Sequence, residues 1–119
     1  MKICVPTSGK GGLDDVVSEH FGRAPTFTVV DIESGHVDVI KNNGEHMGGT
    51  GKPSEQVSVA GAEVVVCSGL GQRARSMLES RGIDIFVGAN GNVSQAVELW
   101  RSGKLQKASD QNACKDHRH

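Results

Sequence analysis

Four stretches of the chain combine residue types that could do chemistry. The first is Ser18-Glu19-His20-Phe21-Gly22-Arg23-Ala24-Pro25. An apolar Phe21 next to Gly22 predicts a sharp turn anchored in the core, with His20 left on the rim beside Arg23. A neutral imidazole at a loop apex is a ready metal ligand, and a guanidinium adds positive charge for an anion. The alternative is a surface histidine in a tight turn. The second stretch, residues 42–52 (NNGEHMGGTGK), sets His46 beside the thioether of Met47. Those donors suit copper or iron–sulfur chemistry better than a hard cation. Its glycines let backbone N–H groups approach an anion closely. A flexible connector with a solvated histidine is the alternative.

The third stretch is Gly69-Leu70-Gly71-Gln72-Arg73-Ala74, which follows an apolar strand pattern and opens a helical one. It has the letter of the G-x-G-x-x-G/A fingerprint, and Gly69 and Gly71 could present helix N–H groups to an anion. A dinucleotide site would also need an acidic residue at the end of the next strand, where Val87-Gly88 stand instead. An anion-facing helix start and plain close packing of strand and helix both remain open. The fourth stretch is the ending Cys114-Lys115-Asp116-His117-Arg118-His119. Cys114, His117 and His119 are zinc, copper or iron ligand types, yet they lack the second ligand pair of a structural zinc site. They predict an incomplete or shared site, or an incidental grouping in a disordered tail. No nucleophile elbow or Walker loop occurs, and Asp14 and Asp15 are adjacent and so would not share a face. No catalytic residue is predicted.

The elements that must position these residues are readable from periodicity. Residues 2–6, 26–32, 36–40, 63–67 and 83–87 have strand patterns, the second and third forming a hairpin around Glu33-Ser34-Gly35. Residues 63–67 (EVVVC) run apolar without a break, as a strand covered on both faces does. Helices are predicted from Pro53 to Ala60, from Leu70 to Arg81, and from a capping pair at Asn92 and Gln95 to Gly103. The order β-β-β-α-β-α-β-α predicts an α/β fold, a five-stranded mixed sheet with helices on both faces and the first strand central. In such a sheet ligands bind beyond the carboxyl ends of the parallel strands. The loops after Pro6, Cys67 and Val87 should meet there, while the loop holding His46 is not placed by this reasoning. Residues 108–119 lack an apolar pattern and are expected to form a flexible tail after a domain of residues 1–107.

Composition narrows the function classes. The 119 residues suggest one domain. The net charge of −1, with Trp100 and three Phe as the aromatics, offers neither a basic stripe nor a stacking platform for nucleic acid. No apolar run approaches the roughly 20 residues that span a bilayer, and the chain opens on a strand pattern instead of a signal peptide. Cys4, Cys67 and Cys114 form no disulfide framework, so a reducing cytoplasm is expected. Cys4 and Cys67 read as small core residues.

Taken together, the opening strand ending in Val-Pro-Thr, the run Glu19-His20-Phe21-Gly22-Arg23-Ala24-Pro25-Thr26-Phe27, the glycine-rich loop, Val66-Cys67-Ser68-Gly69-Leu70-Gly71 and the closing Ala96-Val97 helix resemble a known family. It is the dinitrogenase iron–molybdenum cofactor biosynthesis family, the group of NifX, the NafY core and the NifB carboxyl-terminal domain. The resemblance covers residues 1 to about 107. It implies a ribonuclease H-like three-layer fold. It also implies non-catalytic binding or carrying of an iron–sulfur-based metallocluster, such as an iron–molybdenum-type cofactor, with cluster-assembly or acceptor proteins as partners. His20, in the His-Phe-Gly motif, is the residue it associates with the cluster. An anionic cluster would then be held by that imidazole and by glycine-rich N–H groups, with Arg23 nearby. A reading from a different class is a small-anion or nucleotide-binding regulatory module built on residues 69–71 and 88–92. Monomer and homodimer are both compatible with the sequence.

Overall fold

In a computed structural model the described residues are 1–42 and 52–108. The first strand, β1 (Lys2–Thr7), is buried throughout after Lys2 and lies at the centre of the sheet. On one side it pairs antiparallel with β2 (Thr26–Asp31), from Lys2 opposite Asp31 to Thr7 opposite Thr26. Strand β3 (Val37–Lys41) then pairs antiparallel with β2 to complete the predicted hairpin. At its turn the carboxylate of Asp31 accepts from the amides of Ser34 (3.3 Å) and Glu33 (3.0 Å), which holds that carboxyl below its usual range.

On the other side of β1 the sheet is parallel. Strand β4 (Val64–Val66) sets Val65 beside Cys4, and β5 (Asp84–Val87) sets Ile85 beside Val65. Helix α1 (Lys52–Val59) precedes β4, α2 (Gln72–Ser80) links β4 to β5, and α3 (Val93–Arg101) follows β5. Among the described residues there are six strands, not five: β6 (Gln106–Lys107) pairs antiparallel with β5, giving the order β3-β2-β1-β4-β5-β6. Two exposed polar residues leave no period to read, so the pattern had no way to announce this strand. It forms because the chain leaving α3 returns along the open edge of β5, where the Ala108 amide also donates to Ile85 at 2.8 Å.

Side-chain alternation along the strands builds a core on each face of the sheet. Cys4, Phe27, Val29, Val65, Ile85 and Val87 pack with Val57 of α1 and Leu78 of α2. Ile3, Val5, Val30, Val64 and Val66 pack with Val93, Ala96 and Val97 of α3. Helices on both faces were predicted, and this continuous burial explains the unbroken apolar run of β4. Helix α3 starts on the expected capping box: the Asn92 side chain accepts from the Gln95 amide at 2.8 Å, and the Asn92 amide donates to Gln95 Oε1 at 2.9 Å. Among the described residues no helix is long and apolar enough to cross a membrane.

Candidate functional site

Between β1 and β2 lie eighteen residues without a helix or a named strand. Their order comes from polar bonds. The carboxylate of Asp15 accepts from the amides of Gly9 (2.9 Å), Gly11 (2.7 Å) and Val16 (2.7 Å), folding the start of the loop around one side chain. The buried hydroxyls of Thr7, Thr26 and Thr28 bond to one another, to the Gly9 carbonyl and to the Gly12 amide, tying the same stretch to the sheet. Gly11 sits at φ +87°, and a Cβ there would stand 2.5 Å from Cγ1 of Val39. Glycine is required on both counts, the backbone angle and the close approach.

Main-chain bonds then stitch this loop to its neighbours. Ser18 N donates to Pro6 O (2.8 Å), Val17 N to Gly91 O (2.9 Å) and Val93 N to Asp15 O (2.9 Å). Gly88 N donates to Ser68 O (3.0 Å) and Ala89 N to Cys67 O (3.1 Å). The loops that follow the three parallel strands β1, β4 and β5 are therefore one continuous surface at the carboxyl end of those strands. This is the convergence the strand order predicted.

His20 stands in that surface. Ser18 Oγ accepts from the His20 amide (3.1 Å) and lies 3.0 Å from the His20 carbonyl, to which it donates. The next side chain, Phe21, is 2% exposed and packs on Phe27 with ring centroids 5.2 Å apart. Asn42, just past β3, donates from Nδ2 to Gly22 O (2.9 Å) and to Ala24 O (2.8 Å). The main chain is held on both sides of the histidine, yet its imidazole is exposed and without a hydrogen-bonding or ionic partner among the described residues. Arg23, three residues on, is likewise exposed and unpaired among them.

Gly69 is buried, and Gly71 is the half-exposed N-cap of α2. That helix start has no side-chain cap and no acidic residue in its first turn, so its leading N–H groups are left open by side chains among the described residues. The 88–92 loop differs: the amides of Gly88, Ala89 and Asn92 all donate within the protein. Both core thiols are fully buried. Burial pushes Cys67 up to about 12 and Cys4 higher still, so without a bound metal both are protonated at neutral pH. No group of three or more His, Cys, Asp or Glu side chains converges among the described residues. His46, Met47, Cys114, His117 and His119 lie outside the described residues.

One open imidazole supplies one coordinate bond. A bare transition-metal ion asks for three or four protein ligands. N–H donors and a guanidinium add attraction for an anionic ligand. Among the described residues there is thus one open imidazole ligand, with groups that attract anions, and fewer ligands than a bare ion asks for. The holding roles of Ser18, Asn42 and Asp15 are not readable from the sequence, although Ser18 and Asn42 lie within the stretches singled out there.

The family model described as dinitrogenase iron–molybdenum cofactor matches residues 1–103. An uncharacterised protein of Methanocaldococcus jannaschii, MJ0580, is 30% identical over 113 residues, covering 90% of this chain and 91% of that protein. The crystal structure of PH0822 is similar, with 31% identity, 92% of this chain and 98% of that chain covered, and a TM-score of 0.78. The apo form of the orange protein from Desulfovibrio gigas is 28% identical, with 91% and 92% covered and a TM-score of 0.84. An NMR structure of a putative NifB protein from Thermotoga, 24% identical with 89% and 91% covered, shares the fold at a TM-score of 0.74.

Proposed function

The chain belongs to the dinitrogenase iron–molybdenum cofactor family, and from that premise we propose that it binds or carries an anionic iron–sulfur-based metallocluster, without catalysis, through His20. The observation that carries this reading is an exposed imidazole, unpartnered among the described residues, on a main chain fixed by Ser18, Phe21 and Asn42. A ligand held this way loses little freedom when it binds, so little of the binding energy is spent on ordering the loop. Arg23 and the open N–H groups at Gly71 supply charge and hydrogen bonds to cluster sulfides. His46 is a second donor in this proposal, and Cys114, His117 and His119 form an accessory set. The scaffold is read as ribonuclease H-like and the protein as cytoplasmic, handing its cargo to or from cluster-assembly or acceptor proteins.

Anaerobic reconstitution with ferrous iron and sulfide tests the reading, with absorption spectra and metal content measured for the wild type and for His20→Ala. The substitution should cut retained metal several-fold while leaving the unfolding free energy from urea titration within about 0.5 kcal/mol, as exposed positions do. Equal spectra and equal metal in the two proteins would remove His20 from the mechanism. The uncapped start of α2 also favours a second reading, a small-anion or nucleotide module. Stabilisation by nucleotides in a thermal-shift screen, with none from the reconstituted cluster, would select it.

A further inference from the structure

The geometry points to Asn42 as the positioning residue of the histidine turn, an assignment that rests on the reading of His20 as the cluster ligand. Strand β3 ends at Lys41 opposite Thr26, and Asn42 extends that pairing by one residue, its amide donating to Pro25 O at 3.0 Å. Its side chain then reaches past the ladder. The two hydrogens on Nδ2 meet the carbonyls of Gly22 at 2.9 Å and Ala24 at 2.8 Å. Those carbonyls belong to the turn between the anchored Phe21 and the start of β2, the turn that carries Arg23 and follows His20 directly. Within it Ala24 N donates to Phe21 O at a long 3.4 Å, so the turn's own bond is weak.

The chemistry demanded of this position is specific. The two carbonyls stand two residues apart, and bridging them from one side chain takes two N–H bonds from a single nitrogen. Asparagine does so with a short side chain that has few rotamers to lose. Aspartate has the same shape but only acceptors, and it would face two carbonyl oxygens with negative charge. Alanine would leave both carbonyls to water. The imidazole makes no hydrogen bond to Asn42 among the described residues, so Asn42 acts through the backbone and not on the guest.

The isosteric pair makes the test. The full-length wild type, Asn42→Asp, Asn42→Ala and His20→Ala are compared by backbone 15N relaxation and by exchange of the Ala24 amide, both without metal. The same four proteins are then reconstituted anaerobically with ferrous iron and sulfide. Losing two neutral hydrogen bonds should speed Ala24 exchange by roughly tenfold or more. Order parameters at Gly22 and Arg23 should fall toward about 0.6, while those of β1 stay near about 0.85. Retained iron should fall toward the His20→Ala level in both Asn42 variants. Unchanged exchange and order parameters in Asn42→Asp, the better-shaped replacement, would overturn the assignment. A loosened turn combined with iron retention equal in wild type and His20→Ala would instead overturn the ligand reading and leave the clamp standing. A loosened turn with wild-type iron in both Asn42 variants, while His20→Ala loses it, would overturn the positioning role.

Discussion

Replacing Phe21 by alanine removes a ring that is 2% exposed and rests against Phe27 at 5.2 Å between centroids. Phe-to-Ala changes in cores cost about 3–5 kcal/mol, and an aromatic pair adds about 0.5–1.5 kcal/mol to what area alone gives. Phe21 belongs to a loop that can settle partly into the vacated space, so the lower end, about 3 kcal/mol, is expected. For a domain of this size that corresponds to a melting midpoint lowered by roughly 12 °C. The assay is urea unfolding with the slope m compared between variants, since a constant m shows that the same surface is exposed on unfolding. Phe21→Leu keeps most of the apolar volume and should cost under about 1.5 kcal/mol. A loss below about 1 kcal/mol for alanine at unchanged m would refute the idea that this ring pins the turn to the core.

Two further outcomes follow from features away from the rim. Cys4 and Cys67 have folded-state pKa values raised by burial, Cys67 to about 12. Their stabilising contribution is complete below the ordinary thiol range and is lost as pH rises, because the unfolded chain releases protons that the folded one keeps. Stability from urea titrations should fall above about pH 9, by up to about 3 kcal/mol per pH unit with both thiols counted, and a flat profile to about pH 10.5 would contradict it. Gly11→Ala and Gly12→Ala share a positive-φ strain of about 1–2 kcal/mol. Gly11 alone faces Val39, at 2.5 Å from the added carbon, whereas nothing lies within 4 Å at Gly12, so Gly11→Ala should melt clearly lower. Equal midpoints would show that Val39 gives way freely.

The sheet was legible because burial on two faces leaves a strong mark. The EVVVC run and the spaced Val93, Ala96, Val97 and Trp100 point to a strand under cover and a helix stripe, and those elements form. Strand β6 was not legible, since its two polar residues are placed by the return of the chain and not by any pattern of their own. The exposure of His20 followed from its neighbours: once Phe21 is committed to the core, the residue before it faces outward. What held the turn was hidden. Asn42 meets Gly22 from twenty residues away, and the Asp15 carboxylate collects amides whose directions depend on a backbone no periodicity describes. Polar order of this kind becomes visible only when the chain is folded.

The three rim loops are fastened to one another chiefly by amide-to-carbonyl bonds, such as Val17 to Gly91, Ala89 to Cys67 and Val93 to Asp15. Such joints use atoms that every residue except proline possesses, so most outward-facing side chains can be exchanged without loosening the joinery. The platform behaves like a socket whose frame is generic and whose fittings are replaceable. Descendants of such a chain could change what the rim presents by altering a few exposed residues, with no need to reinvent the fold beneath them.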